Sequence, residues 1–200
     1  MLASAVMDRA QIILNDDNVA YTDAEVLQWL NDGRIQIVQD RPDAYTVRES
    51  VQLAAGPAQS LEADCIALID IAQNMGTDGA TRGAAITEME KARLDRWRPN
   101  WPAETPSATV KHFIRNQLTP REYYVYPPQP DTGMGYVERI ASKALSAVAS
   151  DADIVLGDQW VRALVEFVCW MAHSKDADVS DAGKMERHKA NYYALMGAQR

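Results

Sequence analysis

The stretch LTPREYYVYPPQP, residues 118–130, decides what kind of fold this chain can adopt. Proline lacks a backbone N–H and fixes φ, so Pro120, Pro127, Pro128 and Pro130 exclude a long helix and hold any strand to a short piece. Glu122–Tyr126 is the strand candidate between them. The same restriction runs upstream through RPNWPAETP at 98–106, with Pro99, Pro102 and Pro106, and leaves Val110–Arg115 as a second short strand. A third strand, or one long bent one, is expected over Gly135–Val148.

Further outward, Tyr45–Leu53 alternates in strand fashion and stops at the Gly56-Pro57 turn. Cys65–Ile71 could be a buried strand or a short helix by periodicity, and the turn-like residues on both sides favour a strand. Gly76, Gly79 and Gly83, with Asp78 and Arg82 between them, read as a loop or wide hairpin. Ile86, Met89, Ala92 or Arg93, and Arg96 or Trp97 keep helical spacing, which predicts a helix over 85–97 that ends at Pro99.

Helices bound this middle on both sides. Val6, Ala10 and Ile13 or Leu14 mark a helix over 3–14, closed by the polar turn from Asn15 to Asn18. Thr22 and Glu25 form a capping-box pair at the start of a second helix, whose stripe of Val26, Leu27, Leu30, Ile37 and Val38 faces a core. Arg34 falls inside that stripe, so it needs a structural salt bridge or makes an interface contact. Pro42 stops this helix. Trp160, Leu164, Phe167, Val168 and Met171 form one face of a helix over 158–173, and Cys169 and Trp170 lie off it, so a sheet or a neighbouring subunit is expected on a second side. A last helix carries Met185, Lys189, Tyr192 and Met196 on one face and stops near Gly197. The fold class is therefore α+β, with mixed strands in one sheet covered by helices. Residues 1–44 and 150–200 are expected to form a helical bundle, and 45–149 a β-rich insertion.

A chain of 200 residues can bury one sizeable core, removing roughly 70% of its unfolded surface from water. Its formal charge of -8, from 28 acidic and 20 basic side chains, repels a nucleic-acid backbone unless the basic groups segregate. The densest basic run, Lys91, Arg93, Arg96 and Arg98, is interleaved with Glu88, Glu90 and Asp95 and reads as a solvated helical face. Cys65 and Cys169 sit in apolar runs as small hydrophobes, which suits synthesis in a reducing cytoplasm. The opening MLASAVMDRA has no basic region before its short apolar stretch, so no signal peptide is indicated. The strongest apolar run, Cys65–Ile71, is far short of the roughly 20 residues a bilayer needs, and no membrane anchor is expected.

No catalytic centre is visible. His112, His173 and His188 belong to three separate elements. His173 and Asp176 could share a metal at a helix end, but no HExxH, CxxC or HxH accompanies them. Asp151 and Asp153 precede a segment without the alternating oxygen ligands of a calcium loop. The glycines match no phosphate-binding pattern, and no GxSxG occurs. Carboxylate pairs such as Glu62 with Asp64, or Asp16 with Asp17, are what loops of an acidic protein offer by chance. No cofactor or metal is therefore expected. The alternatives are a small hydrolase whose Asp and His residues are gathered by folding, and a nucleic-acid packaging factor using Lys91–Arg98.

The aromatic content carries a signal. Five tryptophans and eight tyrosines against two phenylalanines is a skew towards rings with one polar edge, the kind enriched at protein interfaces. Each ring of the 123–126 run faces either the core or a partner. The candidate interface residues are Trp97, Trp101, Tyr124, Tyr126, Pro127 and Pro128, together with Tyr193, Leu195, Met196 and Arg200 at the C-terminal end.

Five segments in order give the chain a family likeness: VLQWLNDGRIQIVQDRPDA at 26–44, LEADCIALIDIAQNMGTDG at 61–79, LDRWRPNW at 94–101, LTPREYYVYPPQ at 118–129 and ALVEFVCWMAHSKDAD at 163–178. Together they resemble the head-to-tail adaptor (connector) proteins of short-tailed bacteriophages over nearly the whole chain. The resemblance implies a helical bundle with a small β-rich insertion and a structural role in the virion, at the head-tail junction. It implies a ring of copies, twelvefold to match the portal protein above it, that receives tail nozzle or tail-fibre proteins below. DNA would pass through the channel without specific binding, which the acidity suits. The glycine-rich 76–83 loop and the prolines at 102 and 106 depart from the pattern.

Overall fold

A computed structural model describes residues 1–16, 19–175 and 182–197. In chain order its elements are α1 (Ala3–Leu14), α2 (Asp23–Asp40), β1 (Thr46–Gln52), β2 (Gly56–Ser60), β3 (Cys65–Asn74), β4 (Thr87–Glu88), α3 (Lys91–Trp97), β5 (His112–Arg115), β6 (Glu122–Gln129), β7 (Tyr136–Lys143), α4 (Val161–Lys175) and α5 (Ala182–Gly197). The fold is α+β. It divides into two units, Met1–Tyr45 with Leu145–Arg200, and Thr46–Ala144.

In the helical unit, the Thr22 and Glu25 side chains each take up the other's backbone N–H, at 3.4 and 3.1 Å. Such a cap stabilises a helix start by about 1 kcal/mol. Lys175 at the end of α4 reaches the same Glu25 carboxylate at 2.7 Å, and this hydrogen bond above all holds that carboxyl below its ordinary range. Val26, Leu30, Ile37 and Val38 are buried as the stripe requires. Gly33 stands where an added Cβ would lie 2.8 Å from Phe167 of α4, so a side chain here would push α2 and α4 apart. In α1 the inward face is Ala3, Val6, Met7 and Ala10, whereas Ile13 is exposed.

Arg34 is buried, but among the described residues no carboxylate meets it. Its Nε donates to the Ile154 carbonyl at 2.9 Å, and its Nη1 donates to the Asn31 amide oxygen at 2.8 Å and the Ser146 carbonyl at 3.1 Å. Carbonyl dipoles thus replace the expected salt bridge, and the guanidinium ties α2 to residues 146–154. Desolvation lowers the Arg34 pKa from its ordinary value.

α4 is buried on several sides, which accounts for its off-face residues. Cys169 lies against the Ala10 carbonyl of α1, and Trp170 packs on Tyr192 of α5 at 6.2 Å between ring centroids. Helices of the same unit therefore cover Cys169 and Trp170 from a second side.

The β unit holds two sheets rather than the single one expected, in the orders β1-β7-β3 and β2-β6-β5-β4. Every pairing is antiparallel except β4 with β5. β6 runs on through Pro127 and Pro128 to Gln129, three residues beyond the expected end at Tyr126, and stops before Pro130; β7 starts afresh at Tyr136 and joins β1 and β3. Leu68, Ile71, Val137 and Ala141 of one sheet and Phe113, Tyr123 and Val125 of the other fill one core. This is the sandwich arrangement, in which two inner faces interdigitate.

The helix expected over 85–97 begins only at Lys91. Ala85 bridges Gln73, Ile86 is buried in the sandwich core, and Thr87–Glu88 runs parallel to His112–Phe113. The helical spacing of Ile86 and Met89 is overridden by sheet pairing and burial.

Candidate protein–protein interface

α3 and the turn after it cover the outer face of the β2-β6-β5-β4 sheet. Leu94, Trp101, Ile114 and Tyr126 form a small core there, with Met89 and Tyr124 packed against it. The Trp101 indole donates to Asp95 Oδ1 at 2.9 Å, while Lys91 pairs with Oδ2 at 2.7 Å, one helical turn away. Together they hold the Asp95 carboxyl below its usual range, Lys91 contributing most. The Tyr126 hydroxyl donates to Glu104 at 2.9 Å, and burial followed by that carboxylate pushes the phenol up. Trp101 meets Tyr124 edge-on at 5.9 Å, and Trp97 meets Tyr126 at 6.2 Å.

The run of rings is therefore mostly interior. Trp101, Tyr126 and Pro128 are buried in their own unit, Tyr124 and Pro127 are half-buried, and Trp97 keeps 55% of its surface exposed. Tyr123, which alternation alone could not place, is buried between the sheets. Gly135 is needed for this packing, because an added Cβ would lie 2.0 Å from the Ala108 carbonyl oxygen.

At the C-terminal end, Met196 and Tyr192 are buried in the helical unit. The Tyr192 hydroxyl donates to Asp40 at 3.0 Å, and Arg41 donates to the Met196 carbonyl at 3.3 Å. Leu195 is half-buried, and Tyr193 remains 52% exposed beside Trp170 and Tyr192. Arg200 lies outside the described residues, as does Asp176, the possible metal partner of His173.

Two polar groupings arise that spacing did not suggest. His173 and His188, far apart in sequence, stack with ring centroids 5.6 Å apart, and His188 Nδ1 lies against Glu166. Pairing of α4 with α5 creates this cluster. No spacing within either helix signals it, because it exists only once the two helices pack. Glu49, Glu62 and Cys65 also converge, at a spacing that could hold a metal ion. Arg139 bridges both glutamates, Lys143 pairs with Glu49 at 3.2 Å, and burial pushes the Cys65 thiol up to about 11. With cations already on the carboxylates and the thiol protonated, the grouping fits an ion-pair network better than a metal site.

The chain belongs to the SU10 adaptor protein family, which matches it over residues 1–200, and it is accordingly a bacteriophage head-tail adaptor. No curated protein matches it. Among the described residues, no helix is long and apolar enough to cross a membrane.

Proposed function

We propose that this chain is the adaptor of a short-tailed phage, assembled as a ring of twelve copies between the portal protein and the tail. In this reading it extends the DNA channel and presents the docking surface for tail nozzle or tail-fibre proteins. The observation that carries it is the family match along the whole chain. The formal charge of -8 supports passage of DNA without specific binding, since a polyanion is not retained by an acidic wall. Of the aromatic candidates, Trp97 and Tyr193 are the ones with enough exposed ring to anchor a partner, while Tyr124, Pro127 and Leu195 are half-buried. The bundle of 1–44 with 150–200 and the insertion of 45–149 would then each offer one contact face.

The test is to mix the purified chain with portal rings and image the complexes by size. An added annulus beneath the portal is the expected result. Portal rings that remain bare at saturating chain, with the chain shown folded by circular dichroism, would overturn the reading.

A further inference from the structure

Arg93 and Arg96 line a hollow of about 400 Å³ in the β unit with Met89, Trp97 and His112. In sequence their charge looks neutralised by neighbouring carboxylates, but Glu88 and Asp95 are paired with other cations. Glu88 pairs with Arg115 at 2.9 Å, Asp95 with Lys91 at 2.7 Å, and Glu104 with Arg98 at 3.6 Å. Glu90 does not line the hollow. Among the described residues, Arg93 and Arg96 have no ion pair. An acidic protein thus carries a positively charged, aromatic-lined recess.

The chain also carries a complement to it. Val155 exposes 52% of its surface at φ +66°, a left-handed backbone region that strains a β-branched residue. Its neighbours Ile154 and Leu156 are buried, and Arg34 grips the Ile154 carbonyl, so the loop is held from inside its own unit. Asp151 and Asp158 are exposed without an ion pair among the described residues, and Asp153 holds the amino terminus at 3.3 Å. One apolar side chain therefore projects from an anchored loop with acidic groups around it.

We propose that the Asp151–Asp158 loop of one copy seats Val155 in the Met89–Trp97 hollow of a second copy, with Asp151 and Asp158 facing Arg93 and Arg96. The inference rests on the ring reading above and names one of its contacts. Donor loop and acceptor hollow are different surfaces, so the contact repeats head to tail and closes a ring when the rotation allows. Duplex DNA fits the hollow less well. Two free guanidinium groups neutralise about two phosphates, against the six to ten of strongly salt-dependent binders.

The experiment is sedimentation velocity of the full chain over a concentration series, with circular dichroism melting of each variant. Arg93→Glu with Arg96→Glu, and separately Asp151→Lys with Asp158→Lys, should each weaken self-association about tenfold or more, and the combined charge swap should restore it. Val155→Gly relieves the backbone strain, so it should melt no lower than the parent yet associate more weakly. Self-association that ignores both reversals, a swap no better than either reversal, or full association of the glycine variant would overturn this contact and leave the ring reading standing. A parent chain that stays monomeric at every concentration would overturn both. Tight duplex binding abolished by the arginine reversals would assign the hollow to nucleic acid instead.

Discussion

Nδ1 of His188 lies 2.7 Å from Oε2 of Glu166, with both side chains buried between α4 and α5. Asn191 donates to the same oxygen at 3.2 Å, and His173 stacks on His188 with 19° between the rings. A carboxylate taken out of water is stable only while its partners remain, so this cluster fastens the last helix to α4.

His188→Ala should destabilise the chain by about 2–4 kcal/mol, because Glu166 is left buried with one amide donor. Replacing Glu166 and His188 together by leucine should cost less than the sum of the single changes, since neither then strands the other. Urea denaturation of the parent, His188→Ala, the two single leucine variants and the double variant measures this directly.

The two tryptophans that flank Pro99 should behave differently. Trp101→Ala empties a buried site that also holds Asp95, and a loss of about 3–5 kcal/mol is expected. Trp97→Ala removes an exposed ring whose contacts are Arg98 at 5.0 Å and the edge of Tyr126, and should cost under about 1 kcal/mol. Tyr126→Phe, which deletes the bond to Glu104, should fall near 1 kcal/mol. Equal losses for the two tryptophans in chemical unfolding would contradict this partition.

In α5, neighbouring residues separate docking from stability. Met196→Ala should lower stability by about 2 kcal/mol because its side chain is in the core. Tyr193→Ala should leave melting nearly unchanged while reducing co-sedimentation with portal rings. A Tyr193→Ala chain that sediments with the portal as well as the parent would remove this face from the docking surface.

Asp78 closes the glycine-rich loop. It accepts the Thr81 and Ala80 backbone N–H groups, each at 3.0 Å, and the Thr81 hydroxyl at 2.8 Å, and these bonds, Thr81's amide first, bring its pKa down to about 2. A depressed folded-state pKa means that the loop's support is fully present above the ordinary aspartate value of about 3.9 and is lost as pH falls through about 2. Carbon-detected NMR titration should place the Asp78 midpoint near the lower figure. Asp78→Asn should abolish the corresponding change in amide exchange at Ala80 and Thr81.

Trp97 and Trp101 also mark the limit of what could be read of the candidate site. Composition singled out the aromatic-proline run, and the prolines confined it to short strands and turns. Which ring faces inward depends on where α3 lands on the sheet, and no spacing within the run encodes that. The basic residues of α3 follow the same logic. Counted along the chain, their carboxylate neighbours neutralise them, but Glu88 turns to Arg115, a residue of β5.

What the amino-acid sequence by itself determined is what acts within a few residues: the helix over 3–14, the Thr22–Glu25 cap, the stop at Pro42, the apolar face of 158–173, and the exclusion of long helices between Pro99 and Pro130. These follow from backbone sterics, capping and side-chain periodicity, whose range is one or two turns. Only the tertiary structure decided that the strands divide into two sheets, that Ile86–Glu88 is an extended edge and not helix, that Arg34 donates to carbonyls more than a hundred residues away, and that His173 meets His188. Strand pairing and the partners of buried polar groups are non-local. Each is set by which surfaces the whole chain can bury at once, because a polar group cut off from water must find its partner wherever the fold brings one.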